Sequence, residues 1–184
     1  MIAEDHNAPQ RDLHANRAGN AGDRTSGTNS SLPWRRLGRF SAATVLMGFA
    51  LNEIWEMAQM VTYGEMAGHA WTSTLGRCTA AAAGDVGIIL GIYAVSALAA
   101  GDPGWGLRGR WHIYATAALL GLVSAALVEH AALAAGSWSY MDSMPMVPWL
   151  RAGLWPLLQM TLLPPLTFWI ARWWAGRNPI ERSL

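Results

Sequence analysis

Acidic and amide side chains recur at helical spacing inside stretches that are otherwise apolar. Asn52, Glu53, Glu56, Gln59 and Tyr63 lie in the first stretch, Asp85 in the second, Glu129 and His130 in the third, and Gln159 in the fourth. At 100° per residue, Asn52, Glu56, Gln59 and Tyr63 fall within an arc of about 60°, with Glu53 at its flank. Two carboxylates at i and i+3 in a low-dielectric site cannot both ionise cheaply, so one is expected to hold a proton. A proton-holding carboxylate is what general acid–base chemistry or a proton relay needs. The expected catalytic groups are therefore Glu56 and Glu129, supported by Glu53 and Asp85. The expected binding groups are Asn52, Gln59, His130, Gln159 and Arg151.

These residues need elements that can hold them in an apolar medium. A bilayer core about 30 Å thick is crossed by about 20 apolar helical residues. Four stretches qualify: 41–63, 78–100, 113–135 and 148–171. The fold class expected is all-α, a four-helix transmembrane bundle with a disordered N-terminal tail. The membrane domain covers 34–174. Residues 1–33 are polar and lack the apolar surface that would offset ordering entropy, so they read as a disordered cytoplasmic tail. Because no apolar core follows Met1, they do not read as a signal peptide. Residues 175–184 form the C-terminal cytoplasmic tail.

The arginines set the expected orientation. Every basic residue is arginine. Arg11, Arg17, Arg24, Arg35, Arg36 and Arg39 precede the first span, Arg108 and Arg110 separate the second from the third, and Arg172, Arg177 and Arg182 follow the fourth. Only Arg77 and Arg151 fall on the opposite side, eleven against two. Arginine excess marks the cytoplasmic face, which puts both termini inside. Trp71, Trp138, Tyr140 and Trp149 then suit the outer interface, and Trp34, Trp105, Trp111, Trp173 and Trp174 the inner one.

With that orientation Glu56, Asp85 and Glu129 share one depth, about 9–11 Å below the outer interface at 1.5 Å per residue. Gln159 is expected slightly deeper. Such a layer reads in two ways: a functional polar site, or hydrogen bonds that fix helix packing. Small residues supply packing stripes, Ala80-Gly84-Gly87-Gly91 in the second span and Gly121-Ala125-Ala132-Gly136 in the third, the latter shared by Glu129. Pro156, Pro164 and Pro165 each remove a hydrogen bond from the fourth span, which either kinks it or marks a binding site.

Other chemistries find less support. The single cysteine, Cys78, has no paired base and allows neither an intramolecular disulfide nor a thiolate cluster. Met57, Met60, Met66, Met141, Met144, Met146 and His69 gather near the outer side, and thioethers suit Cu(I) or simple apolar filling. No Glu-x-x-His pair supports a carboxylate di-metal site, and no metal is assigned. A net charge of +1 argues against nucleic acid as a partner.

Asn52-Glu53-x-x-Glu56-Met-x-Gln59, Gly84-Asp85, Glu129…Gly136-x-Trp138-x-Tyr140 and Met144-Pro145 together resemble a family of small bacterial multi-span membrane proteins, over residues 45–172. The Glu…Gly-x-Trp-x-Tyr stretch is also similar to membrane carotenoid cyclases and hydratases. That resemblance implies buried carboxylates that protonate isoprenoid double bonds. The Pro-x-Glu-Glu motif typical of the heterodimeric lycopene cyclases is absent; Trp155-Pro156-Leu157-Leu158-Gln159 stands in its place.

The sequence thus leads to a bacterial inner-membrane protein with a carboxylate-rich polar site in the outer half of the bilayer, working by acid–base chemistry on a lipid or isoprenoid. The alternatives are a proton-coupled transporter of a small solute and a structural subunit of a larger membrane complex. The expected partners are the lipid bilayer and either further copies of the chain or a larger assembly. The cofactor is left open.

Overall fold

A computed structural model of the chain describes residues 34–64 and 70–177. The polar N-terminal stretch, Met66, His69, Arg182 and the end of the C-terminal tail lie outside the described residues. Helix α1 spans Trp34–Gln59 and closes in a 3-10 turn, Met60–Thr62. Helices α2 (Trp71–Ala100), α3 (Trp105–Arg108), α4 (Trp111–Ala134) and α5 (Leu154–Gly176) follow, with two short strands, β1 (Met146–Val147) and β2 (Ala152–Gly153), before α5.

Three of the four long helices are long and apolar enough to cross a membrane: α2, α4 and α5, with mean hydropathies of 1.8, 1.8 and 1.2. The first, α1, is more polar, because Asn52, Glu53, Glu56 and Gln59 interrupt its apolar run. Helix α5 packs along both α1 and α4, and α1 also packs along α2; α2 and α4 approach each other less closely.

Three boundaries differ from the sequence expectation. Helix α1 starts at Trp34, seven residues before Ser41. Helix α2 starts at Trp71, seven residues before Cys78, because Thr72, Ser73 and Thr74 continue it upstream. Residues 148–153 are not helical: a turn and the antiparallel β1–β2 pairing occupy them, with Met146 opposite Gly153 and Val147 opposite Ala152. Pro156 therefore falls in the first turn of α5, where a backbone N–H has no intrahelical partner in any case, and it removes no hydrogen bond. Pro164 and Pro165 do lie inside α5. They deprive the Met160 and Thr161 carbonyls of their helical donors.

The small-residue stripes divide. In α4, Gly121, Ala125 and Ala132 are buried, and a Cβ added at Gly121 would collide with the Met160 carbonyl of α5. In α2, Ala80, Gly84, Gly87 and Gly91 are exposed, and a Cβ at any of the three glycines would meet nothing within 4 Å. That stripe packs against no other described part of the chain. Gly136 is not a packing residue either. It has φ +67 and ends α4, where Ser137 N–H donates to the Ala132 carbonyl at 2.9 Å and Gly136 N–H to Leu133 at 3.2 Å. Those paired bonds are a Schellman motif, which favours glycine at the left-handed position.

At the opposite end, aromatic rings fill the core. Trp105 lies 5.2 Å from Phe168 and 5.1 Å from Tyr93, and Phe40 lies 5.5 Å from Tyr93. Trp105 is 1% exposed. It is a core residue held by α3 and not a member of the interface belt. Its indole N–H donates to the Tyr93 carbonyl at 3.2 Å, and the Tyr93 hydroxyl donates to the Pro103 carbonyl.

Candidate functional site

Each long helix sends polar groups toward one region. Along α1 the buried face runs Phe40, Ala43, Thr44, Gly48, Asn52 and Gln59, so the apolar stripe turns polar in its last two turns. Asn52 Nδ2 is tied to its own helix through the Gly48 carbonyl at 2.7 Å, which leaves Oδ1 free to accept. Gln59 Nε2 donates to Glu56 Oε1 and to Gln159 Oε1, both at 2.9 Å. Trp55 Nε1 donates to Gln59 Oε1 at 3.2 Å.

Gln159 of α5 is the hub. Its Nε2 lies 3.0 Å from Asn52 Oδ1, 2.8 Å from Glu56 Oε1 and 2.7 Å from Asp85 Oδ2. A primary amide has two donor protons, and three acceptors surround this one. Both donor protons of Gln59 are already used on Glu56 and Gln159. Acceptors therefore outnumber donor protons around Gln159, and the Glu56 and Asp85 carboxyls crowd a single amide nitrogen.

Glu129 anchors a second cluster. It is 4% exposed on the buried face of α4. The Schellman turn at Gly136 reverses the chain and folds the next residues back over α4. Trp138 Nε1 donates to Glu129 Oε2 at 3.3 Å, and the Tyr140 hydroxyl donates to the same oxygen. The Tyr63 hydroxyl also hydrogen-bonds Glu129. Tyr140 Oη in turn accepts from Gly153 N–H at 3.0 Å, which links the loop to the start of α5. Main-chain bonds stitch this loop to the end of α1, from Gly64 N–H to the Ser139 carbonyl (3.1 Å) and from Met141 N–H to the Thr62 carbonyl (3.0 Å). Burial, and then the hydrogen bond to Glu129, push the Tyr140 phenol above the usual tyrosine range.

A cavity of about 490 Å³ joins the clusters, within the range typical of small-molecule sites. Glu56, Gln59, Tyr63, Asp85, Glu129 and Gln159 line it. Its α2 wall is Arg77, Ala80, Ala81, Gly84 and Ile88, and its α4 wall is Ala125 and Val128. Trp138, Pro156 and Met160 contribute further apolar surface. Ala80, Ala81, Gly84 and Val128 are exposed although they line the cavity, so it opens sideways between α2 and α4.

Of the residues expected from sequence, Asn52, Glu56, Gln59, Asp85 and Gln159 are brought into one hydrogen-bonded group, and Glu129 faces the same cavity. Three are placed elsewhere. Glu53 points toward α2, where Thr79 Oγ1 donates to its Oε1 at 3.1 Å, and its Oε2 is buried without a hydrogen-bond partner. Glu53 and Glu56 are thus not a facing pair: i and i+3 spacing allows side chains to diverge when each finds a partner on a different helix. His130 is exposed, and its Nδ1 lies 2.6 Å from the Ala126 carbonyl of its own helix. Arg151 is exposed in the turn between β1 and β2, with φ +46, and does not line the cavity.

Residue type alone places Trp138 and Tyr140 in the interface belt, puts Tyr63 on the polar arc of the first span without a site role, and gives Arg77 none. The signal for the aromatics was present in Gly136-x-Trp138-x-Tyr140, since a helix-ending glycine brings the following residues back onto the last turns. Cys78 is fully buried. Among the described residues, no group of three or more His, Cys, Asp or Glu side chains is arranged to hold a metal ion. Comparison with family models, curated proteins and solved structures gave no match, so the reading of this site rests on its geometry.

Proposed function

We propose that this chain is a four-span protein of the bacterial inner membrane, with both termini cytoplasmic, that carries out acid–base chemistry on a lipid or isoprenoid in the outer half of the bilayer. The observation that carries this reading is the cavity into which Glu129 and the Glu56–Asp85–Gln159 cluster both face, with its opening between two apolar helices. Arginine asymmetry supports the orientation.

The roles follow from hydrogen bonding. Glu56 and Asp85 share one amide donor and are arranged to keep a proton in a site with apolar walls. Such a carboxyl is suited to give that proton to an apolar acceptor, for example a carbon–carbon double bond. Glu129 accepts from several donors that hold its oxygens against the cavity, where it is placed to stabilise developing positive charge or to take a proton back. Two carboxylates held in different surroundings on one cavity are the usual basis of acid and base assignments. The Trp138 and Tyr63 rings add π faces beside the same chamber, which suits a cationic intermediate.

The test is a comparison of total membrane lipids by mass spectrometry from cells that express the wild-type chain, Glu129→Gln or no chain. The expected result is at least one lipid species that changes with the wild type and not with Glu129→Gln. Identical lipid profiles in all three would overturn the enzymatic reading and leave the transporter or the structural subunit.

A further inference from the structure

We propose that the cavity takes an amphiphile with an apolar chain and an anionic headgroup, a phosphate or a carboxylate, and that Arg77 binds that headgroup. The proposal rests on the reading of the cavity as a lipid site and names the class of lipid.

Arg77 lines the cavity at its α2 wall. It is exposed, and among the described residues it forms no hydrogen bond or ion pair. It is also one of only two arginines on the side that the charge asymmetry assigns to the outside. A guanidinium presents a planar fork of donors that matches the oxygens of a phosphate or carboxylate. The acidic groups of the cavity do not use that fork, since Glu56 and Asp85 are bonded through Gln159 and Glu129 through Tyr140 and Trp138.

The rest of the wall fixes what is attached to the headgroup. Arg77, Ala81, Gly84, Asp85 and Ile88 share one face of α2 at spacings of four, seven, eight and eleven residues. Between the arginine and Asp85 the wall is therefore only Ala and Gly, with open space above Gly84. An apolar chain can lie along that wall with its headgroup at Arg77. The sideways mouth lets such a chain enter from the bilayer. Eight residues separate Arg77 from Asp85, about 12 Å of helix rise. With its headgroup on Arg77, the amphiphile therefore presents chain atoms, and not the headgroup, to Asp85 and Glu56. The chemistry falls on the chain.

The experiment uses the full-length protein in nanodiscs of zwitterionic phosphatidylcholine, doped with dodecyl phosphate, dodecanoate or dodecanol, or supplied with inorganic phosphate. Bound probe is counted by native mass spectrometry. Dodecyl phosphate or dodecanoate should bind about tenfold or more tightly than dodecanol. Arg77→Ala should bring both down to the dodecanol level, while Arg151→Ala, which removes the same charge outside the cavity, should leave them unchanged. Gly84→Leu, whose Cβ meets nothing within 4 Å, adds bulk to the wall and should lower binding of all three dodecyl probes.

Equal binding of the three headgroups, or equal effects of the two arginine variants, would overturn the assignment of Arg77. Occupancy by inorganic phosphate at the concentration that saturates dodecyl phosphate would overturn the amphiphile, because the chain would then contribute nothing. Binding involves no chemical step. Unchanged membrane lipids together with Arg77-dependent binding would end the enzymatic reading and leave this one standing.

Discussion

Gly121 of α4 lies directly against the main-chain carbonyl of Met160 in α5, the same carbonyl that Pro164 leaves without a helical donor. Only a residue without a Cβ can approach so closely, and a glycine Cα–H is a weak donor to a carbonyl. The proline and the glycine are on different helices and forty-three positions apart, yet each makes room for the other. Gly121→Ala must push the two backbones apart. Overpacking of this kind costs about 1–3 kcal/mol, and a backbone neighbour cannot rotate away. A clearly lowered Tm in detergent is expected; Gly84→Ala, where the added methyl meets nothing, should leave Tm unchanged or raised.

Proton exchange and packing separate in the amide variants. Glu56→Gln and Glu129→Gln keep the shape and most hydrogen bonds, so insertion and Tm should stay close to wild type. The lipid change attributed to the chain should disappear in both. Full retention of that change in the two variants would show that neither carboxyl exchanges a proton in the reaction.

Gln159 should be the most sensitive position for stability. Its side chain holds Asn52, Gln59, Glu56 and Asp85 together. Gln159→Leu fills a similar volume but strands those groups, and each stranded buried group costs about 1–3 kcal/mol. Loss of the folded protein, seen as aggregation on size exclusion in mild detergent, is the expected outcome. A Gln159→Leu protein with wild-type Tm would mean that the cluster contributes little to packing.

Alkaline pH probes the loop over Glu129. The native fold raises the Tyr140 phenol above an ordinary tyrosine, whose pKa is about 10. Above that pH the unfolded chain loses a proton that the native state keeps, so stability is lost as pH rises. Tm should fall from pH 10 upward, and Tyr140→Phe should flatten that fall while lowering Tm at pH 7. An unchanged alkaline slope in Tyr140→Phe would assign the loss to other groups.

Topology is tested by an impermeant thiol reagent on intact cells. Cys78 is fully buried and should be silent. Ser143→Cys and Pro103→Cys are both at exposed positions; the first should label and the second should not. The reverse pattern would invert the orientation read from the arginines.

Helix positions were legible because apolar runs of this length have few alternatives, and the depth coincidence of Glu56, Asp85 and Glu129 pointed to groups that do meet one cavity. Azimuth was harder. The i, i+3 spacing of Glu53 and Glu56 suggested a pair, but each carboxyl turned to a different helix, and spacing within one helix carries no information about which neighbours it will have. His130 bonded to its own backbone for the same reason. Helix α5 starts six residues after the expected 148, because Pro148, Trp149 and Leu150 lead toward the apolar run with only Arg151 to interrupt them, and two short strands with a left-handed Arg151 between them leave almost no compositional trace. Residue type alone suits Trp105, Trp138 and Tyr140 to an interface; their burial depends on α3 and on the turn at Gly136, which are tertiary facts.

The hub at Gln159 has a consequence for biogenesis. Ribosomes deliver α1 first and α5 last. On the four-span reading, Asn52, Glu56 and Gln59 have no partner from α5 when α1 enters the bilayer, and among the described residues α1 is the long helix whose composition does not by itself favour residence there. The amide that satisfies all three arrives about a hundred residues later. Between those moments α1 must wait against the insertion machinery, at the interface, or beside a chaperone. A nascent chain that stops before Leu154 should therefore be a ready substrate for membrane proteases, because the helix made first is completed only by the helix made last.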